Sequence, residues 1–141
     1  MAKKRVLFIC THNSARSQMA EGLLNALYGD LYEAYSAGTE PKVVNPYAVR
    51  VMAEIGIDIS HHKSKHLNEF LGKEFDYVVT VCDKAHQSCP FFPGGKEYIH
   101  KGFEDPSEVT GGEEEILNTF RKVRDEIKMW IKEFFGGKRA G

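Results

Sequence analysis

The chain has 141 residues, 42% of them hydrophobic and 11% aromatic, which fits one globular domain with a single core. Nineteen basic and twenty acidic residues leave a formal charge of -1, so no global field draws the chain to nucleic acid or to an anionic membrane. The apolar run after Lys3-Lys4-Arg5 lasts only from Val6 to Cys10, too short for a signal-peptide core or a membrane span, and a cytoplasmic protein is expected.

Val6-Leu7-Phe8-Ile9 reads as a strand buried on both faces, the pattern of a central parallel strand. After the loop that begins at Cys10, the spacing of Ala20, Leu23, Leu24 and Leu27 predicts a helix from Ala15 to Tyr28, with Gly29 as its exit. Leu31 to Ser36 is a second strand. Asn45-Pro46 supplies an N-cap and a proline at the first helical position, and Val49, Met52 and Ile55 continue that helix to Gly56. Lys63 to Leu71 contains a further short helix. The β-branched run Tyr77 to Val81 is the clearest strand, with Cys82 at its carboxyl end, and Glu97 to His100 is a fourth.

Glu113, Glu114 and Glu115 open a long last helix with Lys132 in its final turn, and Ile116, Phe120, Val123, Ile127, Trp130 and Phe134 form its apolar stripe. Arg121, Lys122 and Arg124, interspersed with acids, are its solvated face. One domain over residues 1–135 is therefore expected, with residues 136–141 a mobile tail that has nothing to bury. The fold class is α/β, a four-stranded parallel sheet with helices on both faces. Such sheets carry their functional loops at the carboxyl ends of the strands, where Cys10, Ser36, Cys82 and Asp105 fall.

Three cysteines in a reducing compartment are reactive or metal-binding more often than structural. Cys10-Thr11-His12-Asn13-Ser14-Ala15-Arg16-Ser17 places an arginine at the opening of a helix, where the amides of Thr11, His12, Asn13, Ser14, Ala15 and Arg16 converge on one point. Such a nest binds a tetrahedral anion, and its positive potential favours a thiolate at Cys10. The Arg16 fork can hold two anion oxygens, and Ser17 can donate to the sulfur. No role is assigned to the His12 side chain. Asp105-Pro106 adds a carboxylic acid on a stiffened turn, suited to protonating a departing oxygen.

A plainer reading of Cys82, His86 and Cys89 is zinc binding, but a closed structural site would need a fourth ligand. His61, His62 and His66 read as exposed loop histidines. Were residues 82 to 89 helical, seven residue steps would separate the Cα atoms of Cys82 and Cys89 by about 10 Å. A disulfide tolerates about 7 Å. Were the two to pair, the segment would therefore be helical or extended when reduced and would unwind or loop out when oxidised.

Cys10 to Ser17 near the start of the chain, with Asp105-Pro106 before the final helix, resembles the low-molecular-weight protein tyrosine phosphatase superfamily. Within it, Thr80-Val81-Cys82-Asp83, Cys89-Pro90, His100 to Pro106 and Phe120 to Ile127 are similar to the thioredoxin-coupled arsenate reductases. Phosphatase relatives usually follow Asp-Pro with a tyrosine, whereas this chain has Ser107, a departure that favours a small inorganic substrate.

The resemblance implies a relay. Cys10 attacks arsenate while Arg16 and the loop hold it and Asp105 protonates the departing hydroxyl. Cys82 attacks Cys10 and expels arsenite, and Cys89 attacks Cys82, leaving a disulfide for thioredoxin to reduce without an organic cofactor. Two alternatives stay open, a phosphatase acting through a Cys10 phosphoenzyme and a non-catalytic arsenite- or zinc-binding thiol module. Some arsenate reductases of this branch also hold potassium beneath the loop. Asn13, Glu21 and Ser36 match that site by position, but Lys65 stands near the expected aspartate, where its ammonium could replace the ion.

Overall fold

The structure is a computed structural model that describes residues 3 to 82 and 91 to 139. Four strands, β1 (Lys4–Ile9), β2 (Tyr32–Ala37), β3 (Phe75–Thr80) and β4 (Gly95–His100), form one sheet in the order β2-β1-β3-β4, and every pairing is parallel. The central place of β1 explains its unbroken apolar run. Phe8 and Val6 are buried on one face of the sheet, while Leu7 and Ile9 are buried on the other.

The two faces are covered differently. Three α-helices, α1 (Arg16–Tyr28), α2 (Pro46–Ala53) and α3 (Glu113–Arg139), share one core with Val6, Phe8, Tyr77 and Val79. Among the described residues, the opposite face is covered by the 3-10 helix Leu67–Phe70 together with Phe92. The helix expected over Lys63 to Leu71 shrinks to that single turn, because its apolar residues Leu67 and Phe70 stand three apart and one turn buries both. Strands β3 and β4 each begin two residues before the expected position. Phe75 pairs with Gly95, which extends the ladder backwards.

Helix α2 starts as its sequence dictates, with Asn45 Oδ1 accepting from the Tyr47 amide at 2.8 Å and Pro46 in the first turn. In α3 the fully buried line runs through Leu117, Phe120, Val123, Ile127, Ile131 and Phe135. Ile116, Trp130 and Phe134 lie on its flank, partly buried. The helix does not stop at residue 135 but continues to Arg139. Gly136 serves close packing there, since a Cβ at that position would stand 2.6 Å from the Tyr28 hydroxyl at the end of α1. Phe135 sets its ring edge-on to Tyr32 at 5.0 Å and to Tyr77 at 5.8 Å, tying the last turns of α3 to the sheet.

The Cys10 loop, Val81-Cys82 and the segment up to Asp105 follow the carboxyl ends of β1, β3 and β4, and Ser36 lies at the carboxyl end of β2. The parallel order therefore brings residues far apart in the chain to one edge. Among the described residues, no helix is long and apolar enough to cross a membrane.

Candidate active site

The loop between β1 and α1 is shaped from outside by its carbonyls. Thr11 O accepts from the Glu40 amide at 2.9 Å, and His12 O accepts from the Lys42 amide at 3.2 Å and from Ser64 Oγ at 2.8 Å. Asn13 O accepts from Gln18 Nε2 at 3.2 Å, Ser14 O from the Asn45 amide at 2.9 Å, and Ala15 O from the Met19 amide at 2.8 Å. In a trans peptide the N–H points opposite to the C=O, so outward carbonyls at residues 11 to 15 turn the next five amides inward. That is an anion nest built one peptide plane at a time. No side chain caps α1, whose N-cap is Ala15, and its first amides also face the loop.

Two features hold this backbone. Asn13 adopts φ 48°, a left-handed conformation that asparagine tolerates better than most residues. Its side chain is engaged at both ends, with Oδ1 accepting from the Lys65 amide at 2.8 Å and from Gln18 Nε2 at 2.9 Å, while Nδ2 donates to Ser17 Oγ at 2.8 Å. Gly38, just past β2, lies against the loop so closely that a Cβ would meet Thr11 O at 2.4 Å and Cys10 O at 2.5 Å. Only glycine fits there.

Cys10 Sγ lies 3.0 Å from Ser17 Oγ. Because Ser17 Oγ already accepts from Asn13, its own proton is left to donate to the sulfur. Arg16 is 3% exposed, and its Nη1 donates to Phe103 O at 3.1 Å while Nη2 stands 3.5 Å from Asp105 Oδ2. Asp105 Oδ1 accepts from the Ser107 amide at 3.0 Å and from Ser107 Oγ at 2.6 Å, so Oδ2 is the carboxylate oxygen beside Arg16. Cys10, Arg16 and Asp105 line one cavity of about 320 Å³ with His12, Lys42 and Ser107.

A polar layer lies beneath the loop. Ser36 Oγ donates to Glu21 Oε1 at 2.5 Å, and Lys65 Nζ lies 3.6 Å from the same oxygen while donating to Lys63 O at 2.9 Å. A potassium ion does not fit this cluster, because Asn13 Oδ1 is spent on two donors and an ammonium already faces Glu21.

His62 corrects the expectation of an exposed loop histidine. Its side chain is largely buried, with Nδ1 at 3.0 Å from Gln18 Oε1 and 3.6 Å from Glu21 Oε2. Since Gln18 Oε1 can only accept, Nδ1 carries the proton. Burial is the main cause that pushes the His62 pKa below the ordinary value, with His61 and Lys65 acting the same way against Glu21. His66 caps the 3-10 helix by accepting from the Asn68 amide, so the three histidines do not converge. Among the described residues, no three His, Cys, Asp or Glu side chains are placed to hold a metal ion.

Cys82 is fully buried, with Sγ 3.8 Å from the carbonyl of Ile9, the residue before Cys10. Cys89 and the expectation of a redox-dependent helix over residues 82 to 89 lie outside the described residues, apart from Cys82 itself, as does the zinc reading through His86. Arg124 is a second correction. It is 8% exposed rather than solvated, and its Nη1 donates to Val51 O at 2.8 Å and to Glu54 Oε1 at 3.0 Å, fastening α3 to the end of α2.

Residues 5–139 match the family model described as low molecular weight phosphotyrosine protein phosphatase. The chain belongs to that family. It is 49% identical over 134 residues to an arsenate reductase of Halalkalibacterium halodurans, covering 95% of this chain and 96% of the relative. A solved arsenate reductase in a phosphate-binding state superposes with TM-score 0.81 at 31% identity, covering 95% of this chain and 98% of that one. A thioredoxin-dependent arsenate reductase of Corynebacterium glutamicum superposes with TM-score 0.67 at 30% identity, over 93% of this chain and 61% of that one. The curated and structural relatives thus place the chain with the arsenate reductases of this family.

The sequence alone did not single out Gln18, Lys42 or the Phe103 carbonyl as parts of the site. Gln18 follows Ser17 directly as the third residue of α1, and a glutamine in the first turn of a nest-bearing helix is a signal that spacing offers. The Phe103 carbonyl is a backbone atom with no side-chain signature.

Proposed function

We propose that this chain reduces arsenate to arsenite through Cys10, Cys82 and Cys89, with thioredoxin restoring the thiols. The observation that carries the reading is a nucleophilic cysteine inside an anion nest with a second buried thiol against the adjoining backbone. Cys10 Sγ attacks arsenic while the inward amides and Arg16 hold the remaining oxygens. Asp105 Oδ2 gives its proton to the departing hydroxyl, which leaves as water. Cys82 Sγ then attacks Cys10 Sγ. The sulfur–arsenic bond breaks with its electron pair going to arsenic, which falls from the pentavalent to the trivalent state and leaves as arsenite. Cys89 attacks Cys82, freeing Cys10, and thioredoxin reduces the Cys82–Cys89 disulfide.

Ser107 supports a small substrate. Its hydroxyl is spent on Asp105 Oδ1, where an aryl substrate would need an apolar wall. The competing reading is phosphoryl transfer to Cys10, favoured by the family that the chain belongs to. Single-turnover assays with arsenate and with p-nitrophenyl phosphate separate them. Cys82→Ser is expected to lose arsenite release and keep any phosphatase activity. Arsenite release at the wild-type rate from that variant would overturn the relay.

We also propose that the enzyme works without potassium, because the Lys65 ammonium faces Glu21. Equal rates in potassium and sodium chloride are expected, and a several-fold rise with potassium alone would contradict this.

A further inference from the structure

The cavity above Cys10 holds more negative charge during reaction than Arg16 can balance. A dianionic oxyanion and the Cys10 thiolate together carry three negative charges, even with Asp105 protonated to serve as an acid. Arg16 supplies one positive charge, and its two terminal nitrogens already lean on Phe103 O and Asp105. Among the described residues lining the cavity, Lys42 is the one other lysine or arginine.

Three observations give Lys42 the means to act. Its backbone is stitched to the nest, since its amide donates to His12 O at 3.2 Å and to Ser64 Oγ at 3.0 Å. Pro41 stiffens the chain before it, and the Glu40 amide is tied to Thr11 O at 2.9 Å. Its ammonium is engaged in no ion pair among the described residues, although Glu108 lines the same cavity. The backbone of Lys42 is therefore anchored beside the anion nest, and its side chain is exposed with no ion-pair partner among the described residues.

The cavity is also larger than its oxyanion. About 320 Å³ holds roughly ten waters at about 30 Å³ each, whereas a four-oxygen anion takes the place of roughly three or four. A bound anion therefore leaves part of the cavity unfilled.

We propose that Lys42 is a specificity-determining residue that draws the dianionic form of a tetrahedral oxyanion into the cavity and holds its outer oxygens. This rests on the reading of the site as one for arsenate, and it concerns capture of the anion rather than the bond-making steps. A rim cation acts through association and ground-state binding, and its effect weakens as salt screens it.

The test measures inorganic phosphate binding by calorimetry, with KM and kcat for arsenate, on wild type, Lys42→Gln, Lys42→Arg and Lys96→Gln. Lys96 makes the same change of charge at the opposite end of the sheet, in β4. Lys42→Gln is expected to weaken phosphate binding and raise the arsenate KM by roughly five- to tenfold at low salt, with kcat within about twofold. The deficit should shrink in high salt, Lys42→Arg should recover most of it, and Lys96→Gln should behave as wild type. Unchanged phosphate binding in Lys42→Gln, a fall in kcat without a change in KM, or an equal loss in Lys96→Gln would overturn the proposal. A wild type that binds phosphate through Lys42 yet leaves arsenate unreduced would support this inference and overturn the function proposed above.

Discussion

Two charged networks in this molecule use the same kinds of residue for different ends. Under the Cys10 loop, Gln18, Glu21, Ser36, His62 and Lys65 form a largely buried layer in which Gln18 and the Lys65 amide bond Asn13 of the loop, His62 bonds Gln18, and Ser36 bonds Glu21. Between α2 and α3, Glu54 takes three hydrogen bonds from Arg121 and one from Arg124 at the surface. The Arg121 hydrogen bond, helped by Arg124, holds Glu54 down to about 2, a large shift for a carboxylate. Yet the Glu54 side chain is 38% exposed and the attraction is screened, so the larger shift marks the less consequential network. Burial and position in the loop, more than the strength of an ion pair, decide which charges shape the chemistry.

The largest effects should come from the residues at the sulfur. Cys10→Ser is expected to lower arsenate reduction by at least about a thousandfold, and Arg16→Lys by roughly a hundred- to a thousandfold, because lysine cannot copy the planar fork. Steady-state rates of folded variants measure both. Near-wild-type activity in Arg16→Lys would mean that the amides alone hold the anion.

Next in size is the buried layer. Gln18 is fully buried and bonded to Asn13, Lys63 O and His62, so Gln18→Ala should cost about 1–3 kcal/mol and roughly tenfold in activity. Denaturant unfolding and kinetics on one preparation would check the two together. A loss of stability with activity intact would show that Asn13 needs no support from below.

His62 predicts a smaller, pH-dependent effect. Its folded pKa lies below the ordinary 6.5, so the unfolded chain takes up a proton that the folded chain resists. The stability it contributes is present above that value and is lost as pH falls below it. The Tm of wild type should drop between pH 7.5 and 5.5, and His62→Asn should flatten the drop. An unchanged slope would locate the titration elsewhere.

The surface network should give the smallest effect. Glu54→Gln is expected to shift Tm by no more than about 2–3 °C at pH 7, with activity unaltered. Because the folded pKa of Glu54 is depressed, its contribution is present above the unfolded value of about 4.5 and disappears as pH falls towards 2. A shift as large as that of Gln18→Ala would erase the contrast between the networks.

What the sequence revealed follows how local each feature is. The β1 strand, the nest from Cys10 to Arg16, the Asn45-Pro46 helix start and the Asp105-Pro106 turn are local patterns, and each stands where its residues place it. The network residues are different. His62 meets Gln18 across 44 residues and Arg124 meets Glu54 across 70, and no local pattern announces such a meeting. Their polar neighbours suggest solvated side chains, whereas tertiary contact leaves only 10% of the His62 side chain and 9% of the Arg124 side chain exposed. The end of α3 misled for a related reason. A segment with no apolar side chain to bury suggests a free tail, but Gly136 packs against Tyr28 of α1, a contact that no local pattern announces.

The three-thiol relay is tested most directly by quenching a single turnover with excess arsenate and no reductant, then trapping free thiols and mapping disulfides by mass spectrometry. The account predicts one arsenite released per chain, two thiols lost, a Cys82–Cys89 disulfide and Cys10 free to be alkylated. Arsenite released with Cys82 and Cys89 both still alkylatable would contradict it.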